Sequence, residues 1–197
     1  MTTPLQLQKR TMAIAGVVMT VYLVLHMLTN LNFFNQSAFT AFYDWYNNSI
    51  IRWLVLLVMA AAILLHVKTA IKIRHVNAKA RTVDYKKHDR FKIPAVFVSL
   101  SIVFLFGFIL IHVYQTLTFV STDTYAEIVQ LFQSPSMTLF YLAGLFVLLM
   151  HLHHSLANVL QTLGKTSFSC HCLAWGVPLV LVGGLASIPL YISVVMP

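Results

Sequence analysis

Four histidines of this sequence lie deep inside apolar stretches, one in each of four successive stretches. They are His26, His66, His112 and His151. An ionisable side chain in such surroundings is costly and usually faces the interior of a helix bundle, where it has a defined partner. A single histidine of this kind could equally be a hydrogen-bonded core residue. Four of them on four successive stretches favour imidazoles that bind a metal.

The depth of each histidine, counted at 1.5 Å per residue from the basic end of its stretch, separates the four into two pairs. His66 and His151 lie about 12 and 20 Å from those ends, and His26 and His112 about 24 and 30 Å. Two pairs of imidazoles predict two six-coordinate haem b groups, which transfer single electrons. His66 with His151 would hold the haem on the cytoplasmic side. His26 with His112 would hold the outer one.

Other readings of these side chains stay open. Imidazole also binds zinc, which requires four ligands converging at one depth. His154 lies three residues after His151, on nearly the same helix face, and could replace it as the ligand. Cys170 and Cys172 are too few for a disulfide framework, and their spacing alone is a weak indication of a metal site.

Membrane-spanning helices are the elements that must position these histidines. Of the 197 residues, 59% are hydrophobic and only 9% are charged, against about 25% charged in an ordinary soluble domain. Lipid must therefore be the solvent for most of the chain. Five apolar stretches are long enough to span a bilayer, near residues 11–34, 49–74, 93–120, 136–163 and 173–195. We predict an all-α integral membrane bundle of five transmembrane helices, forming a single domain over residues 1–197.

The charge distribution predicts the orientation. Twelve of the thirteen Lys and Arg residues fall on one side of the predicted membrane, with Arg52 alone on the other. By the positive-inside rule the N-terminus is cytoplasmic, which fits a bacterial cytoplasmic membrane. The net charge of +8 then reflects topology and contact with anionic lipid, with no nucleic-acid partner. Lys72 or Arg74, beyond His66, could also bind haem propionates, and the wider basic cluster could dock a soluble partner.

Three short motifs carry a resemblance to a known family. They are Gly16, His26 and Asn30-Leu31 in the first stretch, the turn Asn77-Ala78-Lys79-Ala80-Arg81 with Tyr85 after the second, and HLHHSLANVLQTLG (151–164) in the fourth. In this order, together with the four histidines, they resemble the five-helix cytochrome b membrane anchor of the succinate dehydrogenase and fumarate reductase family. The resemblance spans the first four helices.

This resemblance implies the quinone-reactive subunit of a respiratory enzyme. It would pass electrons between an iron–sulfur subunit and menaquinone or another quinone, while dicarboxylate chemistry takes place on a flavoprotein with covalent FAD. It also favours His151 over His154 as a haem ligand. Leu149 departs from the glutamate that some members have there. The alternatives are a dihaem cytochrome b of a hydrogenase or formate dehydrogenase, and a non-redox transporter or scaffold.

A quinone would need an apolar cleft with hydrogen-bond donors for its carbonyls. Near the predicted outer haem, suitable groups are offered by Tyr43, Asp44, Trp45 and Arg52. The alternative is an amphipathic interfacial loop whose aromatic residues belong to the belt at the membrane surface.

Overall fold

The structure is a computed structural model that describes residues 4–80, 95–119, 123–162 and 167–196. These residues are almost entirely helical, and no strand occurs among them. The elements are α1 (Pro4–Leu31), a 3-10 turn (Asn32–Phe34), α2 (Gln36–Asn47), α3 (Ile50–Ala80), α4 (Ala95–Thr118), α5 (Thr124–Gln133), α6 (Pro135–Thr162) and α7 (Phe168–Val195).

Among the described residues, five helices are long and apolar enough to cross a membrane. Their apolar segments are Gln6–Phe34, Ile50–Asn77, Ser99–Thr118, Pro135–Leu160 and Phe168–Val195. Few side chains in these segments are buried within the chain, as expected where the apolar surface faces lipid instead of water. The predicted all-α fold with five spans is therefore confirmed, and the chain is an integral membrane protein.

Two short helices within the described residues were not predicted. An interfacial loop around Tyr43 was the alternative to a quinone site, but the residues there form a helix, α2, over residues 36–47. Asn35 precedes this helix, and its side-chain oxygen accepts a hydrogen bond from the backbone N–H of Ala38 at 3.3 Å. Asp123 caps α5 in the same way, accepting from the backbone N–H groups of Tyr125 and Ala126. Such caps satisfy N–H groups that a helix start leaves without partners.

The chain divides into two compact units. The first contains α1 up to His26, the end of α2 from Trp45, and α3. The second contains the last turn of α1 from Met27, the rest of α2 up to Asp44, and α4 to α7. The four histidines are shared between the units, with His26 and His66 in the first.

The core of the second unit is mainly aromatic. Its buried members are Phe33, Phe39, Leu105, Phe108, Phe132, Tyr141, Ile188 and Ile192. Phe33 stacks on Tyr125 of α5 with ring centroids 4.6 Å apart, and Phe39 is completely buried. The short helices α2 and α5 therefore bury aromatic side chains of their own, and this packing holds them in place.

Glycine allows close helix packing at two points of this unit. A Cβ atom at Gly144 of α6 would overlap the ring of Phe108 on α4, and one at Gly184 of α7 would lie 2.6 Å from the sulfur of Met27. At both places a side chain from another helix occupies the volume that an alanine methyl group would need. These two glycines are required by packing, not by backbone conformation.

Candidate functional site in the spanning helices

The four histidines singled out by the sequence are all half-buried, on α1, α3, α4 and α6. Each predicted haem pair combines one histidine of the first unit with one of the second. The pairing by depth therefore stays a prediction. The hydrogen bonds within each unit define the chemical state of two of these side chains.

His66 is held against the backbone of α1. Its Nδ1 atom lies 3.2 Å from the carbonyl oxygen of Met12. A carbonyl oxygen can only accept a hydrogen bond, so Nδ1 carries the proton and Nε2 carries the lone pair. Gly16 makes room for the ring, because a Cβ atom there would already lie 3.7 Å from His66 Cε1. Gly16 of the first motif thus has a packing role.

His112 is held in the same tautomer by a chain of side chains. Its Nδ1 atom lies 3.3 Å from the hydroxyl of Tyr141, which donates to Gln115 Oε1 at 2.7 Å. The amide nitrogen of Gln115 points to the sulfur of Met137 at 3.6 Å, which supports this orientation of the amide. Since the one hydroxyl proton of Tyr141 goes to Gln115, the oxygen accepts from His112. Nε2 of His112 therefore also carries the lone pair.

The contacts of the other two predicted ligands, His26 and His151, do not define which ring nitrogen carries the proton. His26 stacks on Tyr22, one helical turn earlier on α1, with ring centroids 5.5 Å apart. His151 is half-buried on α6. His154, the alternative ligand, is exposed, and its Nε2 lies 2.9 Å from the side-chain amide of Asn158. None of these contacts decides between His151 and His154.

His153, for which the sequence predicts no role, packs against α7. Its Nδ1 lies 3.0 Å from the carbonyl oxygen of Ala174 on α7. Its ring stacks on Trp175 with centroids 3.7 Å apart. The sequence contains a signal for this contact, because Pro178 follows Ala174 by four residues and has no N–H to donate to that carbonyl.

The two cations predicted to bind propionates are exposed near the end of α3. Counted at about 100° per residue, Lys72 lies about 120° around the helix from His66, and Arg74 about 80°. Arg74 is therefore on a side of α3 nearer to that of the imidazole. Helix geometry favours Arg74 over Lys72 for this role, which stays a prediction.

The predicted quinone-binding residues fall into two groups. Tyr43 belongs to the second unit, where its hydroxyl donates to the side-chain oxygen of Asn30 at 3.3 Å, and Asp44 of the same unit is exposed. Trp45 is exposed and belongs to the first unit, as does Arg52. A quinone contact for these residues stays a prediction.

Around Arg52 the side chains form a small interfacial cluster within the first unit. The guanidinium lies 5.6 Å from the ring centroid of Trp53, within the range of a cation–π interaction. Burial raises the pKa of the Tyr46 hydroxyl above its usual value, and the positive charge of Arg52 lowers it in part. Tyr46 is in the last turn of α2 and Trp53 in the first turn of α3, and both residue types are enriched at the membrane–water interface.

Within the described ranges, no three His, Cys, Asp or Glu side chains lie together as they would around a single metal ion. Cys170 and Cys172 are free thiols, and the hydroxyl of Ser167 lies 3.3 Å from the sulfur of Cys170.

The segment 77–80, expected as a turn, is the helical end of α3. Arg81, Tyr85 and Gly164 of the quoted motifs lie outside the described residues.

A family model described as "Protein of unknown function (DUF418)" matches residues 77–187, more than half of the chain. The chain belongs to the DUF418 family. No curated protein and no solved structure matches it.

Membership in DUF418 overturns the resemblance to the succinate dehydrogenase and fumarate reductase anchor, which is wrong. The function as a respiratory cytochrome b anchor, and its hydrogenase or formate dehydrogenase alternative, are wrong with it. The quoted motifs are short, and local contacts account for two of their residues. Gly16 makes room for His66, and Asn30 accepts from Tyr43. The flavoprotein and iron–sulfur partners were implied by that resemblance alone. That this DUF418 protein lies in a lipid bilayer follows from its apolar helices.

Proposed function

We propose that this DUF418 protein binds haem b inside the membrane through histidines of its spanning helices. The observation that carries the proposal is the shared tautomer of His66 and His112. In both, Nδ1–H is directed to an oxygen acceptor, so the lone pair is on Nε2. Histidines that bind a metal usually donate the other ring N–H to a carbonyl or a similar acceptor, which fixes the ring and increases its basicity.

The apolar surroundings of these imidazoles suit a haem better than a hydrated cation. His66 and His112 would each hold such a group by their Nε2 atoms, and its macrocycle is largely apolar. Phe108, whose ring lies 6.3 Å from that of His112, and the aromatic core around it offer such surroundings. Held by these histidines, such a group would supply one-electron transfer. The propionates would need a cation near the membrane surface, a role that Arg74 fits better than Lys72.

The test is a haem assay on the full chain, expressed with ample haem supply and purified in mild detergent. The unaltered protein should carry haem b. His66→Leu and His112→Leu should each lower the haem content, because each would remove a histidine that holds the group. The matched control is His75→Leu, since His75 is an exposed histidine on the same helix as His66. It should leave the haem content unchanged.

The pairing predicted by depth can be read in the same experiment. His66→Leu and His151→Leu should remove one spectral component, and His26→Leu and His112→Leu the other. A colourless protein that does not take up added haemin would refute the proposal and favour a non-redox transporter or scaffold with hydrogen-bonded core histidines. Loss of haem in the His75→Leu control as well would indicate general instability, and the assignment of ligands would fail.

A further inference from the structure

Four basic side chains lie in a line near the end of α3. Lys68, Lys72, His75 and Lys79 follow one another at spacings of four, three and four residues, which places them within an arc of about 60°. All four are exposed. We refer to these four residues as the lysine face.

The same line continues into the apolar part of α3. Leu64 precedes Lys68 by four residues, and Leu57 precedes Leu64 by seven, so both lie on the side of the helix that carries the lysine face. They are among the most exposed leucines of this helix, at 65% and 67%. Along the helix, Lys72 lies about 12 Å from Leu64 and about 22 Å from Leu57. Since one leaflet contributes about 15 Å to the hydrocarbon core, Leu64 is the leucine of this line in the leaflet nearer to Lys72.

The length of α3 places the junction between apolar and basic residues near a membrane surface. The helix has 31 residues and is about 46 Å long, whereas the hydrocarbon core is about 30 Å thick. With Trp53 at one surface, the other surface falls near Lys72. Lys68 can then extend its ammonium group to the headgroups along its alkyl chain, while His75 and Lys79 lie at or beyond them.

We propose that the lysine face binds the phosphate of an anionic phospholipid, whose acyl chain lies along Leu64. A phospholipid has its parts in the same order as this line, with an anionic headgroup at the surface and an apolar chain below it. A soluble acidic protein would contact only the cations beyond the membrane, and the exposed Leu64 below them would have no part in its binding. The continuity of the line therefore favours lipid.

The experiment titrates the full-length protein in detergent with phosphatidylglycerol or phosphatidylcholine and measures bound lipid by native mass spectrometry. The unaltered protein should retain phosphatidylglycerol in preference to phosphatidylcholine. In Lys68→Gln/Lys72→Gln the affinity for phosphatidylglycerol should fall about 30-fold, on the basis of about fivefold for each basic residue near the surface. Lys68→Arg/Lys72→Arg should keep it, which also shows that substitution at these positions leaves the fold intact.

The matched control is Lys9→Gln/Arg10→Gln, which removes the same charge from exposed positions on α1. It should lose much less affinity than the α3 variant. Equal losses in the two variants would indicate a general effect of net charge and overturn the proposal. Equal retention of phosphatidylcholine and phosphatidylglycerol, or unchanged binding in Lys68→Gln/Lys72→Gln, would also overturn it. The outcome does not depend on whether the protein carries haem.

Discussion

His153 on α6 donates its Nδ1 proton to the carbonyl oxygen of Ala174 on α7, across 3.0 Å. In a regular helix this carbonyl would accept from the N–H of residue 178, but that residue is Pro178 and has none. In a membrane, water is not at hand to satisfy such a group. The imidazole replaces the missing donor, and Trp175 packs against its face. His153 is therefore explained by the proline in the neighbouring helix.

Replacement of His153 by leucine should destabilise the protein. The carbonyl of Ala174 loses its donor, and hydrogen bonds between transmembrane helices contribute about 0.6 kcal/mol on average and up to about 1.7 kcal/mol. We expect a loss of about 1 kcal/mol in the free energy of unfolding, measured by titration with a denaturing detergent. His154→Leu is the control, because His154 is exposed; it should change stability much less.

The proposed cause can be separated from a general packing effect. The substitution Pro178→Ala would restore a backbone N–H four residues after Ala174, so it should reduce the cost of His153→Leu. In a double-mutant cycle the two substitutions should therefore be coupled. Additive effects of the two substitutions would mean that the imidazole does not replace the donor that Pro178 lacks.

Tyr141→Phe should weaken haem binding, if the protein binds haem as proposed. This change removes the acceptor of His112 Nδ1–H, and loss of such a partner typically lowers metal affinity about 10- to 100-fold. The amount of haem retained per chain after purification, measured by absorbance, tests whether the variant binds haem more weakly. Tyr114→Phe is the control on α4, since Tyr114 is 68% exposed. The same haem content in all three proteins would argue against a positioning role for Tyr141.

Gly144→Ala should destabilise the second unit, because the added methyl group would overlap the ring of Phe108. Overpacking of this kind costs about 1–3 kcal/mol. Gly107→Ala on α4 is the matched substitution, since a Cβ atom at that position would meet no side chain within 4 Å in the described part of the chain beyond its chain neighbours. Alanine there should be neutral or stabilising by up to about 1 kcal/mol, through its higher helix propensity. Unfolding of both variants in the same denaturant series measures the difference.

Phe39→Ala should be among the most damaging substitutions in α2. The side chain is fully buried and packs on Tyr43 and Tyr125, and truncation of a buried phenylalanine costs about 3–5 kcal/mol. Phe168→Ala provides the comparison, because Phe168 is 82% exposed and should cost little. A small effect at Phe39 would show that α2 is not held by its aromatic side chain.

The five spans could be predicted from the sequence because a long apolar run has few alternatives to a helix across a bilayer. The helices α2 and α5 have 12 and 10 residues. They could not be predicted in this way, since they are too short and too polar to form a long apolar run. Their positions depend on aromatic contacts with distant residues, such as Phe33 with Tyr125.

The sequence identified the histidines but not their chemical state. The partner of His66 is 54 residues away along the chain, and that of His112 is 29 residues away. Only the packing of the helices brings these groups together. The family assignment failed for a related reason: short motifs were matched by residue type, although Gly16 and Asn30 have contacts within the fold that account for them.

The spacing of Trp53 and Lys72 along α3 suits a bilayer of ordinary thickness. They are nineteen residues apart, a distance of about 28 Å along an upright helix, and the hydrocarbon core is about 30 Å thick. A tilt of the helix would shorten this span, and the alkyl chain of Lys72 can make up the difference by extending its ammonium group to the headgroups. Hydrophobic mismatch for this helix is therefore small.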